Sequence, residues 1–186
     1  VPVPKMVLLC EDESILGTPF YVMEKVEGRI FRVPTLPDTT GRKERFAIFD
    51  AMNDTLAKVH KVDWQAAGLE SFGKPGNYMD RQVGKWSKQY LASQTYTINS
   101  MNHLMEWLPR NIPDDDSTTI VHGDFRLENM ILHPTEPKVV AVLDWELSTL
   151  GHPLADLAYN CMGYYLPSMG GRTFGYSDVD FAATGI

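Results

Sequence analysis

The chain reads as an α+β fold, a helical body with small β-hairpins set into it. Three features predict this. Residues 42–60, RKERFAIFDAMNDTLAKVH, carry Phe49, Met52, Leu56 and Val59 at spacings of three and four, the period of one helix face. Two short runs near the start, MVLLC at 6–10 and FYVMEK at 20–25, have the aliphatic, β-branched and aromatic content of strands. Beyond residue 118 the helical pattern gives way to short apolar runs around acidic residues, TIV at 119–121, MIL at 130–132 and KVVAVLDWE at 138–146.

Taken in order, residues 6–10 predict a first strand, 11–17 a turn and 20–25 a second strand, which the Glu27-Gly28 pair ends. Residues 30–33 predict a further short strand. Residues 34–41, with two prolines, predict a loop. The helix over 42–60 ends on His60, read as a structural or capping histidine. Residues 64–77 hold three glycines and a proline and predict loop. Residues 78–93 and 98–108 predict two more helices, the latter stopped by Pro109. The run DDDS in 113–119 predicts a solvated acidic loop, and 156–165 a last helix. The tail YSDVDFAATGI reads as loop.

A chain of 186 residues suffices for one domain with a sizeable core. Lys and Arg number 17 against 24 Asp and Glu, a net charge of −7, which argues against a nucleic-acid partner. No apolar run approaches the ~18 residues of a membrane span. Cys10 and Cys161 are the only cysteines, with no spacing that suggests zinc, so a reducing compartment is the default. No signal-peptide pattern is visible. The first residue is Val1 and the last stretch has nothing to close it, so the chain reads as a fragment of something longer.

The chemistry concentrates in VHGDFRLENMIL, residues 121–132. Asp124 opens a turn after one short apolar run. Asn129 stands five positions later and leads into another. Asp144 ends VVAVL, fifteen positions beyond Asn129. Phosphoryl transfer from ATP uses such a set: one carboxylate for the proton of the attacking hydroxyl, a second for Mg²⁺, and an amide oxygen to complete the metal shell. The alternative for Asp124 and Asn129 is a turn-and-cap pair without chemistry. A metal-dependent hydrolase could use the same carboxylates, but it would want further acids or histidines around a second ion.

Together, VHGDFRLENMIL, VLDWELSTLGHPLADLA (142–158) and LAKVHKVD (56–63) resemble the aminoglycoside phosphotransferase and choline kinase group of protein-kinase-like small-molecule kinases. GTPFYVMEKVEGRIF (17–31) and RQVGKWSKQY (81–90) are most similar to the kinase-like domain that precedes acyl-CoA dehydrogenase domains in some multidomain proteins. The resemblance covers nearly the whole chain. It implies a protein-kinase-like fold, with 1–33 as the end of the small lobe and the hinge, and 34–186 as the helical large lobe. It implies Asp124 as catalytic base, His122 as a support of the catalytic loop, and Asn129 and Asp144 as Mg²⁺ ligands. Met23, Glu24, Lys25 and Val26 would form the hinge, with backbone groups of Glu24 and Val26 meeting the adenine of ATP. Asp156 would tie the helical lobe together. The implied activity is phosphorylation of a small-molecule hydroxyl, a hydroxyacyl substrate in the dehydrogenase-linked subgroup. FAD would belong to the neighbouring dehydrogenase domain, and the compartment would be a mitochondrion or peroxisome.

The chain departs from the group's pattern in one respect. No G-x-G-x-x-G is present, Lys5 precedes a strand, and Lys25 lies in the hinge, so no lysine is placed for the phosphates. The isolated chain is accordingly expected to bind ATP weakly, because half a cleft leaves the phosphates in water. A non-catalytic pseudokinase or docking module is the competing reading.

Overall fold

The computed structural model describes residues 1–37, 39, 41–167 and 175–185. Asp38 and Thr40 of the predicted 34–41 loop, and Ile186 at the end of the tail, lie outside the described residues.

The first unit is an antiparallel ribbon. Strand β1 (Met6–Cys10) pairs with β2 (Phe20–Met23) in the register Leu9↔Tyr21 and Cys10↔Phe20. The segment between them is more than a turn. It holds a one-turn helix, α1 (Glu13–Leu16), capped by the Asp12 carboxylate on Ser14 N–H at 2.9 Å and closed by Gly17 at φ 81°. Strand β2 ends at Met23 rather than Lys25; one further rung, Glu24 N–H to the Lys5 carbonyl at 2.9 Å, follows before the chain leaves the ladder.

The predicted strand over 30–33 does not form. The chain touches strand β4 (Met130–Leu132) through a single bridge, Arg29↔Leu132, and then leaves it. The crossing is close. A Cβ on Gly28 would stand 2.2 Å from the Leu132 carbonyl oxygen, which only glycine permits. Arg29 then binds three ways, to the His133 and Glu136 carbonyls at 3.0 Å each and to Glu44 at 2.7 Å.

Helix α2 (Arg42–His60) is the spine of the body. It buries Ile48, Met52, Thr55, Leu56 and Val59, while Phe49, predicted for the core stripe, packs half-buried at its edge. The Thr55 hydroxyl, on the buried face, is satisfied by the Ala51 carbonyl at 2.7 Å. Helices α3 (Tyr78–Ser93) and α4 (Asn99–Trp107) follow, the latter passing into a 3₁₀ turn at Leu108–Arg110 around Pro109. Neither α3 nor α4 buries a residue, and Trp86 and Trp107 are both exposed. Asp116 of the acidic loop accepts from Asn77 N–H at the start of α3, so that loop serves as a cap.

Two hairpins complete the body. Strand β3 (Thr119–Val121) pairs antiparallel with β6 (Thr149–Gly151), a strand the sequence reading did not foresee. Strand β4 pairs antiparallel with β5 (Val139–Val142), which is shorter than the predicted 138–146. The last helix, α5 (Leu154–Met162), starts two residues before Asp156 and runs into a 3₁₀ turn at Gly163–Tyr165. The tail is not all loop: α6 (Phe181–Thr184) is one turn of helix capped by Asp180.

One core joins Phe31, Leu36, Ile48, Met52 and Leu56 to Phe125, Leu127, Met130, Leu132, Val139 and Val142. A second, smaller cluster joins Val59 to Ile120 and Leu150. Helix α2 therefore contributes to both clusters, and both carry the segments that flank Asp124 and Asp144. Pro2 also docks on the body, its carbonyl accepting from Val142 N–H at 2.9 Å.

Candidate active site

Strand β3 delivers His122, Gly123 and Asp124 to the top of the core. His122 is fully buried, and both ring nitrogens are committed. Its Nε2–H donates to the Leu143 carbonyl at 2.9 Å, and its Nδ1 accepts from Asp124 N–H at 3.2 Å. The ring also lies 4.7 Å, centroid to centroid, from Trp145. His122 thus bolts the loop carrying Asp124 to the segment carrying Asp144.

Gly123 bends the chain at φ +85°, and a Cβ there would meet the Leu147 carbonyl oxygen at 2.8 Å. Both the left-handed backbone and the close approach require glycine between His122 and Asp124. The bend exposes two backbone donors, and Asp156 takes both. Its Oδ2 accepts from His122 N–H at 2.7 Å and its Oδ1 from Gly123 N–H at 2.8 Å. Oδ2 also meets His60 Nε2 at 3.1 Å. Asp156 is 1% exposed, so the sequence reading of it as a tie within the helical lobe holds, and His60 is its structural partner.

Asp124 is about one-sixth exposed, its side chain at 17%. Its Oδ2 accepts from Asn129 Nδ2 at 2.8 Å and lies 3.2 Å from Arg126 Nε. Its Oδ1 accepts from Tyr159 Oη at 2.6 Å. Asn129 Nδ2 also donates to the Asp124 carbonyl at 2.9 Å. Both amide hydrogens are therefore spent on Asp124, which orients the amide and leaves its oxygen as the free acceptor.

The β4–β5 register carries on past the strands. Leu143 N–H donates to the Asn129 carbonyl at 2.8 Å, which sets Asp144 beside Asn129 across the hairpin. Asp144 sits at φ 64°, ψ 59°, a left-handed conformation that costs about 1 kcal/mol or more in a residue with a Cβ. Its carboxylate is exposed and, among the described residues, has no hydrogen-bond or ion-pair partner. An amide oxygen and an unpaired carboxylate are both hard donors of the kind a divalent cation such as Mg²⁺ takes.

The predicted hinge is less built. Met23 and Asp144 line the same cavity, about 620 Å³, with Met6, Tyr21, Leu143 and Trp145. Glu24, Lys25 and Val26 line neither this cavity nor the cleft lined by Phe125, Arg126 and Tyr159. Glu24 N–H is taken by Lys5, so of its backbone groups only the carbonyl is left to meet an adenine. Lys25 points to solvent, paired with Glu27 at 2.6 Å.

Two residues at the site went unread in the sequence. Arg126 lies within the quoted loop; it meets Asp124 and, through Nη1, Glu128 at 3.1 Å. Tyr159 sits three positions after Asp156, on the same face of α5, and that spacing was the available signal. Burial and the Asp124 carboxylate hold the Tyr159 phenol well above its usual range, so it remains a donor.

Among known proteins, the profile of the phosphotransferase enzyme family matches residues 1–174. Mouse acyl-CoA dehydrogenase family member 10 is 53% identical over 186 residues, all of this chain but 17% of that protein. Human acyl-CoA dehydrogenase family member 11 is 50% identical over 167 residues, 89% of this chain and 21% of that protein. The chain thus spans about a fifth of the length of these curated relatives. Among solved structures, a Ralstonia eutropha protein assigned as an aminoglycoside phosphotransferase superposes with a TM-score of 0.92 at 52% identity, covering 100% of this chain and 56% of that one. Aminoglycoside phosphotransferase APH(4)-Ia, solved with AMP-PNP and hygromycin B, shares the fold at 16% identity, with a TM-score of 0.61 over 88% of this chain and 55% of that one. With its helical body, its embedded hairpins and a family match over residues 1–174, the chain belongs to the phosphotransferase enzyme family and has a protein-kinase-like α+β fold.

Proposed function

We propose that this chain is the phosphoryl-transfer unit of an ATP-dependent small-molecule kinase, with Asp124 as the base for the acceptor hydroxyl. The observation that supports this reading is that the Leu143–Asn129 and His122–Leu143 bonds tie the segments bearing Asp124, Asn129 and Asp144 together at the end of the β4–β5 hairpin. Asn129, through its free amide oxygen, and Asp144, through its unpaired carboxylate, would hold Mg²⁺. Bound there, the ion would neutralise charge on the β- and γ-phosphates.

In this reading Asp124 accepts the proton of the acceptor hydroxyl at Oδ1 as the hydroxyl oxygen bonds to the γ-phosphorus and the bond from that phosphorus to the β–γ bridging oxygen breaks, releasing ADP. The protein's part is chiefly positioning, because the transferred group passes through a loose transition state with little proton transfer to drive. His122, Gly123 and Asp156 supply that positioning from below. The cavity beside Met23, lined also by Met6, Tyr21 and Trp145, is largely apolar, as suits an adenine, while Glu24 and Val26 stand outside it.

The acceptor we propose is a hydroxyacyl compound of the acyl-CoA type, with this unit tethered to an acyl-CoA dehydrogenase domain. Support comes from relatives at 50% and 53% identity whose names carry that dehydrogenase and which are about five times as long. The test is phosphate transfer from Mg·ATP by the full-length protein across hydroxylated acyl-CoAs, choline-like amines and aminoglycosides. Transfer to the acyl-CoAs supports the reading. Transfer to an aminoglycoside alone replaces the acceptor class, and no transfer to any hydroxyl sinks the kinase assignment.

A further inference from the structure

The Asp124 carboxylate is held from two sides, and only one side comes from its own loop. Asn129 and Arg126 both approach Oδ2, at 2.8 and 3.2 Å. Oδ1 is met by Tyr159 Oη at 2.6 Å, from a helix 35 residues further along the chain. A donor on one oxygen leaves a carboxylate free to pivot about its Cβ–Cγ bond. A second fixed donor on the other oxygen sets its plane. Each carboxylate oxygen offers two acceptor directions. Oδ2 is crowded by an amide and a guanidinium, whereas among the described residues Oδ1 carries only the phenol, which leaves it a second acceptor direction.

The frame holding Tyr159 is itself rigid. Helix α5 is pinned to the same loop one turn earlier, where Asp156 accepts from His122 and Gly123 N–H. It is pinned to α2 one residue later, where Asn160 Nδ2 donates to Asn53 Oδ1 at 3.1 Å. Tyr159 thus reports the position of α5 directly to the base.

We propose that Tyr159 is a positioning residue: its hydroxyl fixes the plane of the Asp124 carboxylate so that the open direction of Oδ1 faces the acceptor hydroxyl. The proposal rests on the reading of Asp124 as the base. It is tested with Tyr159→Phe in the full-length protein, using Mg·ATP with water as acceptor, read as ADP release, and with a hydroxyacyl-CoA. The expected result is a fall in kcat of roughly tenfold or more for both acceptors, with KM for ATP and for the acyl-CoA within about twofold. In an Asp124→Asn background the same substitution should cost nothing further. Unchanged kcat would overturn the proposal. So would a lowered KM for the acceptor at unchanged kcat, which would make the hydroxyl an obstacle in the acceptor's place. The contact is also read without turnover, by a double-mutant cycle of urea midpoints across Tyr159→Phe and Asp124→Asn, where simple additivity counts against it. A wild-type protein without any turnover would instead remove the base assignment itself, so the two failures are told apart.

Discussion

The two hairpins nearest the site differ in how they are held. β4–β5 is buried on nearly every residue: Met130, Leu132, Ala141 and Val142 are each at 0% exposure. β1–β2 is a bare ribbon, with Val7 at 66%, Leu9 at 67% and Tyr21 at 58% exposure. The first sets Asn129 and Asp144 in register and is packed against α2. The second leads to Met23 and the hinge, and its side chains find little to pack against among the described residues. The half proposed for the proton and the metal is therefore preorganised by the body, while the half proposed for the nucleotide is a short ribbon and a stretch of exposed backbone.

This contrast can be broken most sharply at Asp124. Asp124→Asn in the full-length protein should lower kcat by about 10³-fold or more while leaving ATP affinity nearly unchanged, as steady-state kinetics and nucleotide titration would read. Normal turnover would mean that the best-held carboxylate in the site is only structural. Next comes Asp156→Ala. It leaves the His122 and Gly123 N–H groups buried without an acceptor, at an expected cost of about 3 kcal/mol in urea-denaturation stability. A loss below about 1 kcal/mol would show that water replaces the carboxylate and that the loop is less preorganised than its bonds suggest.

Gly123→Ala should cost about 2 kcal/mol, from a φ of +85° and the crowding against Leu147. Asp144→Asn should weaken Mg·ATP binding by about tenfold by calorimetry, since a charge is lost from the cation pair but no buried contact goes with it. At the small end stands the ribbon. Val7→Thr and Leu9→Ser should each move stability by less than about 0.5 kcal/mol, because neither side chain is buried. A larger effect would mean that the ribbon carries weight its exposure hides.

How much of this was legible beforehand depends on the range of the interactions. Helices α2 and α3 fall on the residues predicted, because their apolar spacing and flanking loops are local signals. The strand expected over 30–33 failed for want of a partner: after Arg29 the chain turns away from β4, and one bridge is all that forms. β6 was invisible because Thr149, Leu150 and Gly151 are unremarkable until β3 lies opposite them. The site divides the same way. Asp124, Asn129 and Asp144 were proposed from residue type and spacing. Tyr159 was not, because a tyrosine in an apolar helix carries no mark of the carboxylate it meets 35 positions away.

By itself, then, the sequence determined the helical body, the short strands that flank Asn129 and Asp144, and the resemblance that the family match bears out. These rest on short-range periodicity and residue chemistry. Only the tertiary structure decided which groups fix Asp124, that Asp156 spends both oxygens on backbone N–H groups, and that Glu24 N–H is committed to Lys5. Each of these is a pairing across a fold, and a buried polar group takes its partner from whatever the packing brings within ~3 Å, a distance no local pattern records.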